Sequence, residues 1–281
     1  MTESQSIFKL FDLHGRVAVV TGGAGLLGSE FCHALAQAGA SVVIADANDI
    51  GGRALADSIS SQDRQALAIE TDVTHPASVS ALVSATLDAF GRLDILVNSA
   101  ALDPKFDPQQ TTATAQRPGS GEFESFPLQA WNLALEVNLT GAFLCCQAAV
   151  VPMLKQGGGV IVNLSSIYGL AGPDQRLYQR PGQPSQYKPV YYSVTKAGIL
   201  GLTHYLATYY AGKNIRVNAL SPGGVYNGHD EDFVQSYAAR AVMGRMAEKD
   251  EMNGALLFLV SDASAYMTGA NLVVDGGWTA W

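Results

Sequence analysis

Short apolar runs alternate along this chain with longer stretches in which apolar residues recur every three or four positions. The runs are "RVAVVT", "SVVIAD", "QALAIET", "DILVN", "GVIVNLSS", "IRVNALS" and "NLVVDGG", and helical patterns fall between them at 26–38, 50–60, 76–90, near 128–154 and at 191–211. β-Branched residues dominate the runs, and a helix between two strands returns the chain for parallel pairing. Segments such as "VIVNL" are apolar at consecutive positions, which fits burial on both faces of a sheet better than alternation would. The pattern predicts an α/β fold: a doubly wound (Rossmann) parallel sheet with helices on both faces, built by residues 1–281 as a single domain.

Two stretches break this rhythm, 101–127 and 169–190, both rich in Pro, Gly, Gln, Ser and Thr and both longer than ordinary connections. Each follows a strand. Ligands of open α/β sheets bind outside the carboxyl ends of the strands, so these segments, with a third at 223–245, are expected to be substrate loops.

Composition narrows the function. With 281 residues, 48% of them hydrophobic, the chain has material for a large core, and its net charge of -8 argues against nucleic acid or an anionic membrane as partner. A small-molecule substrate is expected. The N-terminal residues lack a basic segment followed by an apolar one, and no run reaches the roughly 18 apolar residues of a membrane span, which reads as cytoplasmic. Cys32, Cys145 and Cys146 show no metal spacing and read as small buried hydrophobes; the five histidines are scattered, so no catalytic metal is expected.

"TGGAGLLG" at 21–28 lies between an apolar run and a helical pattern, the setting in which backbone N–H groups and a helix N-terminus reach a pyrophosphate. Gly22, Gly25, Leu26 and Leu27 are the candidate contacts, with Gly25 making the close approach, Leu26 opening the helix and Leu27 packing inward. Asp46 follows Gly22 by 24 residues at the end of the second run, where a carboxylate accepts from ribose hydroxyls and repels a 2′-phosphate. NAD is therefore expected over NADP. The nearest following cation, Arg53, reads as a solvated charge. Asp72 and Val73 after the third run, and Asn98 after the fourth, are expected at the adenine side of the crevice.

In "VYYSVTKAG", Tyr192 and Lys196 are four apart on a helix and share a face; Tyr191 does not. Bringing a tyrosine from pKa about 10 to near 7 needs roughly 4 kcal/mol of preferential stabilisation of the phenolate, which an ammonium and a charged nicotinamide supply. Tyr192 is then the proton-exchanging group. Ser166 in "NLSSIYG" is the candidate to orient the substrate oxygen, with Ser165 the alternative if the register shifts by one. Asn138, polar within an apolar helix, either bonds locally or marks a kink that holds a water in a proton chain to Lys196.

In this order the segments "FDLHGRVAVVTGG", "TDV", "VNSAA", "NLSS", "YSVTK", "IRVNALSPGGV" and "VVDGG" resemble the short-chain dehydrogenase/reductase family over nearly the whole chain. The resemblance implies a tetrad of Asn138, Ser166, Tyr192 and Lys196, with Tyr192 and Lys196 also touching NAD, and a nicotinamide clamp at Pro222, Gly223 and Val225. It also implies a homo-oligomer, tetramer or dimer, through the helices near 128–154 and 191–211 and the C-terminal strand. Five positions depart from the family's habit: Leu26 stands for Gly, "NSAA" for "NNAG" at two places, Asn227 for Thr and Lys249 for Pro.

"TGGAGLLG", "SPGGV" and the ending "VVDGGWTAW" are similar to reductases of flagellin-modification and nonulosonic-acid clusters, which implies a sugar or sugar-phosphate substrate. Arg176, Arg180 and Lys188 against Asp174 leave the 169–190 loop with an excess of +2, which suits an anion. The expected activity is NAD-dependent interconversion of a secondary alcohol and a ketone. The alternatives are a non-catalytic NAD-sensing module, or an epimerase or dehydratase of nucleotide sugars from the extended branch.

Overall fold

The computed structural model describes residues 6–103, 122–179, 182 and 185–281. Seven strands, β1 (Val17–Thr21), β2 (Ser41–Asp46), β3 (Ala66–Glu70), β4 (Ile95–Asn98), β5 (Gly159–Leu164), β6 (Ile215–Pro222) and β7 (Asn271–Val274), form one sheet in the order β3-β2-β1-β4-β5-β6-β7. Every pairing is parallel. Strand order reverses direction between β1 and β4, and a crevice opens at that switch along the carboxyl ends.

The helices at the expected places are α1 (Leu26–Gln37), α2 (Asp49–Ser60), α3 (Pro76–Phe90), α4 (Leu128–Leu135), α5 (Gly141–Gln156) and α6 (Val190–Tyr209). A single π turn, Glu136–Thr140, joins α4 to α5 without a break. Two helices between β6 and β7 were not anticipated: α7 (Glu231–Ala238) and α8 (Asn253–Val260). Both have local causes. Asp230 caps α7 by accepting from the Phe233 N–H at 3.0 Å, and Glu248 and Glu251 form a capping box around the 3-10 turn Lys249–Met252 that leads into α8. Lys249, in the position of the family's usual Pro, pairs with Glu30 on α1 at 2.6 Å.

Strand residues are buried on both sides yet sort by parity. Ala18, Val20, Ile44, Ile95, Val97 and Val162 meet α1, α2 and α8; Val19, Val43, Leu96, Ile161 and Val217 meet α3, α5 and α6. Each fully buried Val, Leu or Ile contributes about 1.5–3 kcal/mol, so the two layers hold the sheet edge-on to the crevice. Cys145 and Cys146 lie in the second layer, where burial pushes both thiols up to about 12; Cys32, in the first, is pushed up further by the same cause.

No uninterrupted apolar run of membrane-span length occurs, yet the continuous helix Leu128–Gln156 is long and apolar enough to cross a bilayer by length and composition, its most apolar 18-residue window having a mean hydropathy of 1.6. Its polar residues are spread singly, so they interrupt runs without lowering the mean. Half of its most apolar window is buried in the protein, with Ala142, Cys145, Ala149 and Met153 against the sheet.

Candidate active site

The crevice is a cleft of about 830 Å³ running from the end of β2 to the start of α6. At its β1–α1 end, Gly22 has φ +63°, and a Cβ there would stand 2.7 Å from the Cα of Ala100. A Cβ on Gly28 would stand 2.0 Å from the Gly22 carbonyl oxygen, so Gly28 is the point where helix and turn touch. Gly25, the N-cap of α1, meets only that same oxygen, at 3.1 Å, and lines the cleft. A side chain on Gly25 would fill the approach to the helix N-terminus, which is where a pyrophosphate gathers N–H groups. Leu26 opens α1 half-exposed at the cleft, and Leu27 packs against the α1 layer of the core.

Asp46 closes this end. Its Oδ2 accepts from the Ala24 N–H at 2.9 Å and its Oδ1 from the Asn48 N–H at 2.8 Å, which ties the glycine turn to the end of β2. The carboxylate still lines the cleft, with acceptor capacity left for hydroxyls. Arg53 turns away to Asp49, donating from Nε to both carboxylate oxygens at 2.8 Å. Asp72 and Val73 also line the cleft. Asp72, in the turn before α3, accepts from the Thr74 hydroxyl at 2.7 Å and the Thr74 N–H at 2.9 Å, and these bonds hold its carboxyl below the usual range.

The expectation for Asn98 is corrected. Its side chain is buried beneath the cleft, donating to Asn163 Oδ1 at 2.8 Å and to Cys146 Sγ at 3.2 Å. The cause is strand parity: Asn98 shares a face with Leu96, under α5, whereas the cleft takes Ser99, Ala100 and Ala101.

At the other end, Ser166 follows β5 and lines the cleft with Tyr192, where its hydroxyl acts to favour the phenolate; its Oγ accepts from the Tyr168 N–H at 3.1 Å. The hydroxyl of Ser165 is used differently, donating to the Lys196 carbonyl at 2.8 Å and fastening α6 to the strand end. Of the two serines, the structure brings Ser166 to Tyr192. Tyr191 is fully buried beside Phe126, off that face.

Lys196 is buried, and its Nζ donates to the Leu164 carbonyl at 2.8 Å. Burial depresses its ammonium to about 8, partly opposed by Asp103. The phenol of Tyr192 moves opposite to the expectation: burial, and then the charge of Asp103, push it well above 10, with the Ser166 hydroxyl pulling the other way. The side chains alone leave Tyr192 protonated at neutral pH. Lys196 stands 5.7 Å from its ring centroid.

Asn138 sits in the π turn. Its Oδ1 accepts from the Leu102 N–H at 2.6 Å, and its Nδ2 donates to the Leu102 carbonyl at 3.2 Å and the Thr195 hydroxyl at 3.3 Å. The backbone here is a π turn rather than regular α-helix. The side chain itself bonds locally, to Leu102 and Thr195, and so positions the chain leading into the 101–127 loop against α6.

Beyond β6, Pro222, Gly223 and Val225 line the cleft. A Cβ on Gly223 would stand 2.7 Å from the Cα of Asp275, so this turn needs glycine. Val225 forms a parallel bridge with Ala247 that uses the Gly224 carbonyl and the Tyr226 N–H. That geometry points the peptide groups of Val225 away from Ala247. Asn227 lines the cleft too.

Each of the three loops contributes to the cleft wall: Leu102 and Asp103 from the first, Tyr178 and Lys188 from the second, His229, Phe233 and Tyr237 from the third. Residues 104–121 of the first lie outside the described residues. Partners from outside the loop modify the expected surplus of positive charge: Asp103 offsets Lys188, and Arg240 adds a cation beside Asp174. Arg176 donates to both oxygens of Asp174, at 2.8 and 2.6 Å, and Arg240 joins the same carboxylate at 2.5 Å, holding its acid down at about 2. Lys188 is ion-paired with Asp103 and stands 4.1 Å over the Tyr192 ring. Arg180 lies outside the described residues.

Lys188 was read from the sequence only as loop charge, and Asp103 and the aromatic wall of Tyr168, Tyr178, Phe233 and Tyr237 went unidentified. The available signal was weak: a lysine one helical turn ahead of Tyr192, within a loop of no period.

Fold and cleft together define a dinucleotide-binding oxidoreductase acting on CH–OH groups. The chain belongs to the short-chain dehydrogenase/reductase family: the family model described as enoyl-(acyl carrier protein) reductase matches residues 23–279. It is similar to the D-threitol dehydrogenase of Mycolicibacterium smegmatis, 36% identical over 99% of each chain. It is similar as well to the cis-4-hydroxycyclohexanecarboxylate dehydrogenase of Sinomonas cyclohexanicum, 37% identical over 94% of this chain and 97% of that one. Among solved structures, the gluconate 5-dehydrogenase of Burkholderia cenocepacia J2315 in complex with NADP and tartrate superposes with a TM-score of 0.83. It is 28% identical, over 98% of this chain and 100% of the other.

Proposed function

We propose that this protein is an NAD-dependent dehydrogenase that interconverts a secondary alcohol and a ketone on a small, sugar-like substrate. The observation that carries the reading is the convergence of Ser166, Tyr192 and Lys196 at one end of a cleft whose other end is a side-chain-free helix N-terminus beside Asp46. Gly22 and Gly25 leave room for a pyrophosphate, Asp46 suits ribose hydroxyls, and Val225 offers its peptide groups to a carboxamide. The commitment of Arg53 to Asp49 leaves Asp46 to disfavour a 2′-phosphate, which supports NAD over NADP. The nicotinamide supplies the hydride exchange and, when oxidised, a positive charge.

Tyr192 exchanges a proton between its phenol oxygen and the substrate oxygen. Ser166 hydrogen-bonds that same oxygen and fixes its direction. Lys196, anchored on the Leu164 carbonyl, places positive charge behind the phenol and favours its ionised form. Asn138 positions Leu102 and Thr195 around this centre. The likeness of "TGGAGLLG" and "VVDGGWTAW" to reductases of flagellin-modification and nonulosonic-acid clusters supports a sugar-like substrate, as does the similarity to the D-threitol dehydrogenase.

We place the enzyme in the cytoplasm as a homo-oligomer, on the support of exposed Phe143, Val151 and Leu154 on α5 and Tyr205 and Tyr209 on α6. The test is formation of reduced cofactor at 340 nm with purified protein, NAD or NADP, and a panel of polyols and cyclic alcohols. NADH formation with a polyol supports the reading; NADH formed with no alcohol, or NADPH formed faster than NADH, contradicts it.

A further inference from the structure

We propose that the Asp103–Lys188 ion pair is a binding site for the vicinal hydroxyls of an uncharged polyol and selects against anionic substrates. The inference rests on the proposed alcohol oxidation and names its substrate class. Asp103 ends the described part of the first loop and Lys188 immediately precedes α6 by way of Pro189; 85 residues separate them in sequence, yet they meet at the cleft wall. The ammonium stands 4.1 Å over the ring of Tyr192, so anything held by the pair lies next to the proton-exchanging phenol. Lys188 is 12% exposed and Asp103 48%, so the pair opens to the cleft through its carboxylate side.

Three features favour a neutral polyol. First, the pair offers a carboxylate that accepts from hydroxyls beside an ammonium that donates to them, and two adjacent hydroxyls satisfy both at once through charge-assisted bonds. Second, an anion placed here is attracted by Lys188 and repelled by Asp103 at comparable range, so the attraction is largely cancelled unless the pair is broken. Third, Arg176 and Arg240 are held together on Asp174 and do not line the cleft. Tyr168, Tyr178, Phe233 and Tyr237 face the pair's side of the cleft and suit the C–H surface of a short carbon chain.

Threitol and tartrate share four carbons and two central hydroxyls and differ in their ends, hydroxymethyl against carboxylate. Each is titrated calorimetrically into the NAD complex of the Tyr192→Phe protein, which keeps the ring under Lys188 and does not turn over. The expected result is threitol binding at least tenfold tighter than tartrate, with Asp103→Asn reversing at least tenfold of that ratio and Lys188→Met weakening threitol at least fivefold. Tartrate binding as tightly as threitol, or a ratio unmoved by Asp103→Asn, overturns the proposal. Failure of the wild-type protein to form NADH with any alcohol, alongside the expected binding pattern, overturns the catalytic reading and leaves the polyol site standing.

Discussion

The ammonium of Lys188 lies 4.1 Å from the centroid of the Tyr192 ring, nearer than that of Lys196 at 5.7 Å. The phenol is thus bracketed by two cations, with Asp103 paired to the closer one and raising the phenol's pKa. Ser166, Tyr168 and Tyr191 complete the groups that act on it, and of these only Ser166 favours ionisation. Asp103→Asn removes a charge that opposes the phenolate and frees Lys188 to support it. The acid limb of the pH profile of kcat/KM for alcohol oxidation is expected to move about 0.5–1 unit toward lower pH. A limb that stays in place or moves upward in the variant contradicts this electrostatic account.

Lys196 is expected to lower stability at neutral pH. Its folded pKa of about 8 lies below the ordinary lysine value of 10.5, so between those values the unfolded chain binds more protons and stability from this group rises with pH. Below pH 8 the full penalty applies. Lys196→Met therefore has its largest stability advantage over the wild type at pH 7, and that advantage declines by roughly 2–3 kcal/mol by pH 10.5. Denaturant unfolding at pH 7, 9 and 10.5 reads the trend, and a constant difference would refute it.

Cofactor choice is assigned to Asp46. Replacing Asp46 with Ser keeps a short acceptor for Ala24 and Asn48 and removes the charge. The ratio of kcat/KM for NADP to that for NAD is expected to rise at least tenfold, about 1.4 kcal/mol or more. An unchanged ratio would show that discrimination lies elsewhere.

The contact between Gly28 and Gly22 is expected to be intolerant of a methyl group. Gly28→Ala places a Cβ 2.0 Å from a backbone oxygen, which forces α1 away from the turn. Thermal unfolding is expected to drop by several degrees, on the order of 2 kcal/mol or more, with weaker cofactor binding alongside. Gly25→Ala should leave stability nearly unchanged, because its nearest neighbour is 3.1 Å away, while still weakening the cofactor.

Periodicity made the sheet legible, because seven apolar runs and the helical patterns between them are strong local signals. Tyr192, Lys196 and Ser166 were legible for the same kind of reason: helical spacing and a strand end fix them locally. Asn98 was misplaced because one residue of parity decides whether a strand-end side chain meets the cleft or α5, and the quoted "VNSAA" carries no mark of that parity. The charge pairing of the 169–190 loop was not legible because Asp103 and Arg240, distant in sequence, add a carboxylate beside Lys188 and a second cation beside Asp174. Helices α7 and α8 had cap residues on view at Asp230 and Glu248, but their short length gave the period little room to show.

The central claim is that Tyr192 moves the proton that accompanies oxidation. Stopped-flow formation of NADH from a polyol, run with wild type and Tyr192→Phe at saturating NAD, measures this directly, with NAD affinity determined in parallel. A rate lower by at least a thousandfold, with NAD affinity within about twofold of wild type, is the predicted result. Turnover within tenfold of wild type would contradict the account.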